Sequence, residues 1–225
     1  MVDLYEAMST LRAVRRLKPD PIPAEVLERV LQAAAWAPTG GNVQPFRIIA
    51  VQQPVLKAAL QGWYHSEWHA YSKGHLAAME NMAEEPRLAM ARMLKAGDYL
   101  AAHLDSTPVI LVFCFNPDYM AITDSDLGRP SVVGGGSVYT AVQNVMLACR
   151  AEGLGCVLTT LLCLREPQVK ALLGIPQGWY TCAHVPVGYP VLKGHGALRR
   201  RGLDKLVFSD VWGEGYVAGE VKLQS

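Results

Sequence analysis

The sequence predicts an α+β fold, an α/β sandwich in which a central sheet is flanked by helices. Three observations predict it. The chain has 225 residues, 51% of them hydrophobic and 18% charged, the balance of a compact globule long enough to bury a core. Four short apolar runs, 46–51, 108–115, 156–160 and 180–187, read as strands. Between them lie stretches with apolar residues at helical spacing, and strands interleaved with helices stack into layers. The length is that of one domain over 1–225, and no internal repeat is visible.

Each element has its own signal. Asp3, with Glu6 three residues on, marks the start of a first helix that runs to about Thr10. Pro23 opens a second helix over 24–37, where Val26, Leu27, Val30, Leu31, Ala34 and Ala35 share one face. Pro38 stops it. Thr39-Gly40-Gly41-Asn42 then forms a polar, glycine-rich loop, and Gln44-Pro45 stiffens its junction with strand 46–51. Residues 55–60 read as another helix. Segment 62–105 is the least legible: Trp63, Tyr64, Trp68 and Tyr71 crowd together, equally suited to roofing a pocket and to packing in a core. A helix over 79–100 must be started or kinked by Pro86.

The run 108–115 is continuously apolar, as expected of a central strand buried on both faces. Residues 116–133 have loop composition. Ser137 is placed to cap a long helix that reaches about Glu152 and stops at Gly153. Pro167 begins a helix over 166–173, and 180–187 is the last core strand. The tail 189–225 carries Leu203, Leu206, Val207, Phe208, Val211 and Trp212 without a core of its own. It is expected to wrap over this subunit or a partner.

Composition excludes several classes of function. A net charge of +1 gives no bulk attraction to nucleic acid or an anionic membrane. The first residues lack the basic and apolar pattern of a signal peptide, and no run reaches the ~18 apolar residues of a membrane span. The five cysteines are odd in number and contain no Cys-x-x-Cys, so reduced, buried thiols in the cytoplasm are expected. His65 and His69 lie four apart, but Ser66 stands where a metalloprotease motif needs glutamate, and no metal is expected. There is no Gly-x-Gly-x-x-Gly, and Gly134-Gly135-Gly136-Ser137 is not a phosphate loop because no Gly-Lys-Ser/Thr follows.

Chemistry is concentrated in four separated segments. Arg12-Ala13-Val14-Arg15-Arg16-Leu17 and Arg199-Arg200-Arg201 supply guanidiniums able to grip phosphate in bidentate fashion. The loop 38–45 offers backbone N–H groups, a hydroxyl and amides. Gly153-Leu154-Gly155 leads into a strand ending at Leu158-Thr159-Thr160, and strand ends are frequent ligand positions.

In this order and at these separations the segments resemble the flavin-dependent nitroreductase family. The matching residues are Arg12–Leu17 with Lys18-Pro19-Asp20, Ala37–Asn42 with Gln44-Pro45-Phe46, Val142–Ala148 running to Gly153-Leu154-Gly155, and Arg200–Asp204 through Trp212-Gly213. The resemblance covers nearly the whole chain and is weakest over 62–133. It implies FMN held without covalent linkage at a homodimer interface, a central mixed sheet flanked by helices, a variable lid at 62–105 and a C-terminal tail reaching the other subunit. By position, Arg12 and Arg15 would bind the phosphate and the polar edge of the ring, with Arg200 completing the phosphate clamp. Thr39, Asn42 and Gln44 would line the flavin. Ala13, Leu158, Thr159 and Thr160 would pass beside it, with Thr160 near N5. The sequence departs from the family at Ala13, where serine is usual, at Leu11, where arginine is common, and at Gly202, which replaces proline.

The resemblance further implies hydride taken from NAD(P)H and delivered, in a ping-pong cycle, to a nitroaromatic, a quinone or a similar flat acceptor. No protein nucleophile or strong acid stands out; a cation near the reduced ring and a hydrogen bond at N5 are what the protein must supply. The same scaffold admits reductive dehalogenation, dehydrogenation or flavin breakdown, and a flavin-binding protein without turnover is the alternative of another class.

Overall fold

A computed structural model describes residues 2–216. The last part of the expected C-terminal extension, 217–225, lies outside the described residues. Six α-helices and four strands follow one another in the described chain: α1 (Leu4–Thr10), α2 (Ala24–Ala35), β1 (Phe46–Val51), α3 (Pro54–Met79), α4 (Glu84–His103), β2 (Val109–Phe115), α5 (Tyr139–Ala151), β3 (Gly155–Cys156), α6 (Glu166–Leu173) and β4 (Tyr180–Gly188).

The strands form one sheet of order β1-β2-β4-β3. Every ladder is antiparallel, with Phe46 opposite Phe115, Val109 opposite Val187 and Cys156 opposite Val187. The parallel component is a single bridge from Ala13 to Cys156. The apolar run of β2 lies in the middle and is buried from Val109 to Cys114. Its alternate residues enter two cores. Val109, Leu111 and Phe113 join Leu27, Val30 and Ala34 of α2 and Val142, Val145 and Cys149 of α5. Ile110, Val112 and Cys114 join Leu60, Tyr64 and Trp68 of α3 and Leu94, Leu100 and Ala101 of α4. A strand buried on both faces has no need of alternation, which is why its sequence is apolar throughout.

Several boundaries differ from the sequence reading, each for a physical reason. α3 runs for 26 residues instead of ending near residue 60, and it pairs with α4 as a helical hairpin. Pro86 falls in the first turn of α4, where a backbone N–H has no partner to lose, so it starts the helix instead of kinking it. β3 is only two residues long. Beyond it the chain keeps one backbone exchange with β4, Thr159 N–H to His184 C=O at 3.0 Å and His184 N–H to Thr159 C=O at 2.9 Å, and then turns away. Ser137 does not cap α5; its Oγ accepts the Gly40 N–H at 3.0 Å, tying the glycine-rich loop to the turn before α5. Asp3 does cap α1, its Oδ1 accepting the Glu6 N–H at 3.0 Å.

Loop 116–133 is organised about the Asp124 carboxylate, which accepts from Ser131 Oγ at 2.6 Å, Arg129 at 2.8 Å and the Val132 N–H at 2.9 Å. The Ser131 hydroxyl, the Val132 amide and the Arg129 guanidinium hold this carboxyl well below the usual range. Among the described residues, no helix is long and apolar enough to cross a membrane.

The basic segment 12–18 is threaded between the sheet edge and the start of the tail. Val14 N–H donates to Cys156 C=O at 2.9 Å, Lys18 N–H to Tyr189 C=O at 2.8 Å, and Val191 N–H to Arg16 C=O at 3.0 Å. Two glycines permit this approach. A Cβ at Gly155 would stand 2.7 Å from Val14 Cγ1, and one at Gly188 would stand 2.8 Å from Pro108 and 3.2 Å from the Lys18 carbonyl oxygen.

Candidate functional site

The threaded segment sends its side chains to different places. Val14 and Leu17 are buried. Arg16 places its guanidinium over the Tyr99 ring of α4, 5.2 Å from the centroid, a stacking contact away from the cleft. Arg12 and Arg15 face two concavities.

The first is a cleft of about 590 Å³ lined by Arg12, Ala13, Ala197, Arg199 and Arg200, with Leu11 and Leu198 as its apolar rim. The tail aims Arg12: its guanidinium donates to the Ala197 carbonyl, and it lies beside Gly196, where a Cβ would stand 3.4 Å from it. Arg200 donates to the Arg199 carbonyl at 2.9 Å. Arg199 reaches Glu85 at 3.8 Å, but both side chains are more than 90% exposed, so the pair adds little. None of the residues lining this cleft is acidic. It presents three guanidiniums from both ends of the chain, the donor set for a phosphate or similar anion.

The second is a pocket of about 200 Å³ lined by Arg15, by Val157 to Leu161 beyond β3, and by Tyr64, Trp68, Tyr71 and Met93 of the helical hairpin. Tyr64 and Trp68 are nearly fully buried and rigidly held. Trp68 Nε1 donates to Asp98 Oδ1 at 2.7 Å, and Gly97 gives its ring space, since a Cβ there would lie 2.0 Å from it. Burial pushes the Tyr64 hydroxyl pKa up, with the Thr159 side chain and Arg15 opposing the shift. Tyr71 is half-exposed at the rim. The walls are largely aromatic and apolar, with polar groups from Arg15, Tyr64, Tyr71, Thr159 and Thr160, a lining suited to a planar ring.

The structure therefore brings Arg12, Ala13 and Arg200 together in one concavity, and Arg15, Leu158, Thr159 and Thr160 in its neighbour. Thr39, Asn42 and Gln44 line neither. Their loop is held by its own bonds: Thr39 Oγ1 accepts the Gln44 N–H at 3.1 Å, and Gln44 Nε2 donates to Asn42 Oδ1 at 3.2 Å. Gly41, Asn42 and Gln44 all have positive φ, 57°, 55° and 48°, so two non-glycine residues are held in the left-handed region. Met93, Gly196 and Ala197 were not found by sequence reasoning. Met93 lies in a helix without a motif, and the other two matter through backbone approach, which leaves no side-chain signature.

Neither lining contains a Cys, His, Asp or Glu, so these walls hold no general acid or base that titrates near neutrality. The arrangement can grip an anion and flank a ring; bond-making must come from what is bound.

A thin antiparallel sheet packed between helices, with an arginine cleft beside an aromatic pocket, defines an α+β protein with a site suited to an anion joined to a planar ring. The chain belongs to the nitroreductase family, whose family model matches residues 10–189. It is 29% identical over 205 residues to an NADH dehydrogenase of Thermus thermophilus, covering 88% of this chain and 92% of that protein. It is 30% identical over 190 residues to a 5,6-dimethylbenzimidazole synthase of Rhodobacter capsulatus, covering 83% of each. Among solved structures, oxidized iodotyrosine deiodinase bound to FMN and 3-iodo-L-tyrosine aligns with TM-score 0.66 and 24% identity, covering 89% of this chain and 96% of that one. The NADPH:FMN oxidoreductase from Vibrio harveyi complexed with NAD+ aligns with TM-score 0.67 and 20% identity, covering 94% and 78%. At these identities the structural likenesses establish the fold.

Proposed function

We propose that this protein is an FMN-dependent oxidoreductase that takes hydride from NAD(P)H and passes it to a flat organic acceptor such as a nitroaromatic or a quinone. The observation that carries the reading is the pairing of a three-guanidinium cleft with an aromatic pocket along one segment. Arg12 and Arg15 are three residues apart, at most about 10 Å of extended chain, a separation suited to a phosphate and the ring tethered to it by a ribityl chain. The donor set fits FMN on both counts, cationic at the phosphate end and flat at the ring end.

When bound, FMN supplies reversible hydride acceptance at its ring. The chain's own residues do the rest. Arg12 and Arg200 would hold the phosphate, Ala13 would lie beside the tether, and Arg15 would offer a cation to the ring edge, where reduction would build negative charge. Leu158, Thr159 and Thr160, which line the pocket, would flank the ring and offer polar groups to it. Tyr64 and Trp68 wall the pocket. Thr39, Asn42 and Gln44 belong to the same site if they come from the second subunit of a homodimer. The matched NADH dehydrogenase and NADPH:FMN oxidoreductase support nicotinamide as donor.

One observation favours a specific acceptor over a broad one: the hairpin of α3 and α4 walls the pocket with buried aromatics. A deiodinase and a benzimidazole synthase among the relatives are in keeping with a dedicated substrate on this scaffold. The test is a visible spectrum of the purified protein followed by anaerobic addition of NADH or NADPH. A flavin spectrum that bleaches is expected. A colourless protein that takes up no added FMN would refute the reading, and a yellow protein that neither nicotinamide bleaches would favour flavin binding without turnover.

A further inference from the structure

On the solvent face of α3, His65 and His69 turn their Nε2 atoms toward one another at 3.1 Å, with ring centroids 4.3 Å apart and planes at 74°. The two residues are one helical turn apart and both are exposed. We propose that His65 and His69 form a bidentate site for a divalent transition-metal cation of the Ni²⁺, Cu²⁺ and Zn²⁺ class.

The geometry carries the assignment. Imidazole nitrogens bind these ions at about 2.0–2.1 Å, so two of them on adjacent corners of one coordination sphere stand about 2.9–3.4 Å apart. The observed separation of 3.1 Å falls within that span. Imidazole suits this class of ion better than it suits Mg²⁺ or Ca²⁺, which take oxygen ligands. The nearby carboxylate is committed elsewhere, since Glu67 pairs with Arg165 at 2.5 Å. His75 and His103 each meet a carbonyl of their own helix through Nδ1, at 3.3 and 2.8 Å, and among the described residues neither has a second imidazole against its other nitrogen.

Among the described residues, no third His, Cys, Asp or Glu joins the pair. The ion would keep water on its other positions, which makes the site exchangeable and unlike the closed four-ligand sites that fold small domains. It is also not the metalloprotease arrangement, because Ser66 follows His65. His65 directly follows Tyr64 and His69 directly follows Trp68, so a bound ion would clamp the turn of α3 that walls the aromatic pocket.

Isothermal titration of the whole protein with NiCl2 in a non-chelating buffer tests the assignment. One equivalent is expected to bind, at least tenfold more weakly in His65→Ala and in His69→Ala, and unchanged in His75→Ala. In the unsubstituted protein, ZnCl2 should shift the imidazole NMR resonances of His65 and His69 and leave those of the other four histidines in place. A His65→Ala/His69→Ala variant that titrates like the parent would overturn the proposal. So would zinc shifts at His75 or His103 instead, or no binding in the micromolar range. The NMR arm needs no substitution, so it stands even if a variant fails to fold.

Discussion

Arg199 and Arg200 are adjacent in sequence and line the same cleft, yet they are not equivalent. Arg199 reaches Glu85 at 3.8 Å, whereas Arg200 folds back on the Arg199 carbonyl. Arg200→Ala should weaken FMN retention about tenfold or more, the loss of a charge-assisted contact worth roughly 1.5–3 kcal/mol, while Arg199→Ala should change it little. Fluorescence titration of apoprotein with FMN measures both, and equal losses would misplace the phosphate. A second residue-scale prediction concerns His184. Its ring is buried in β4, neither nitrogen has a hydrogen-bond partner among the described residues, and burial lowers its pKa from 6.5 to about 4. The unfolded chain binds this proton near pH 6.5 and the folded one does not until about pH 4, so stability falls as pH drops between those values. The loss approaches about 3 kcal/mol. Denaturant melts of His184→Leu should be flatter over that range; an unchanged pH profile would assign the acid sensitivity to other groups. The basic turn stood out in sequence as a cluster of guanidiniums that could equally be a solvated edge, and only the family resemblance singled out Arg12 and Arg15 within it. His184 did not stand out, because a lone histidine in a strand gives no sign of which face it takes.

Among the elements, the α3–α4 hairpin departs furthest from its sequence reading. Its apolar positions are diluted by Gly62, His65, Glu67, His69 and Gly74, so no clean stripe marks a helix of 26 residues. What holds it is interhelical fit that no single-segment pattern records: Trp68 of α3 lies over Gly97 of α4 and is pinned by Asp98. Gly97→Ala should therefore destabilise the protein by about 1–3 kcal/mol, as overpacked cores do, although alanine is the better helix former. Thermal melts would show it, and a stabilised variant would mean that the Trp68 ring has somewhere else to go. β2 was the opposite case. Seven apolar residues without alternation can hardly be anything but a central strand, and that is where they lie. β3 was overestimated because Val157-Leu158-Thr159-Thr160 has strand composition while it keeps only the isolated Thr159–His184 bridge to β4 and lines the pocket.

For the whole molecule, the sequence grouped four segments into one site, and a single chain assembles three of them. The glycine-rich loop is tied to Ser137 and to Thr140, whose Oγ1 donates to the Pro38 carbonyl at 3.3 Å, on a different part of the surface. Exposed Leu4, Tyr5 and Met8 of α1 and a fully exposed Trp212 are further reasons to expect a second copy. If each flavin site takes Arg12 from one protomer and Gln44 from the other, then mixing Arg12→Ala with Gln44→Ala subunits leaves one complete site per heterodimer. Such a mixture, unfolded and refolded together, should recover about half the parental flavin content in the isolated heterodimer, because one site of two is intact. Recovery of none would place both residues in one chain.

The threading of residues 12–18 between Cys156 and Tyr189 bears on the order in which this molecule can be made. A chain emerging from its N-terminus can build α2, β1 and the α3–α4 hairpin while Arg12 and Arg15 still have nothing to lie against. Their seat is completed only when residues beyond 190 arrive, nearly two hundred positions later. The anion cleft is thus built by contacts between residues far apart in sequence, the ones with the greatest loop-closure cost. A chain cut off before residue 189 would still contain all four strands but would lack Ala197, Arg199 and Arg200, and with them the cleft that holds the anion.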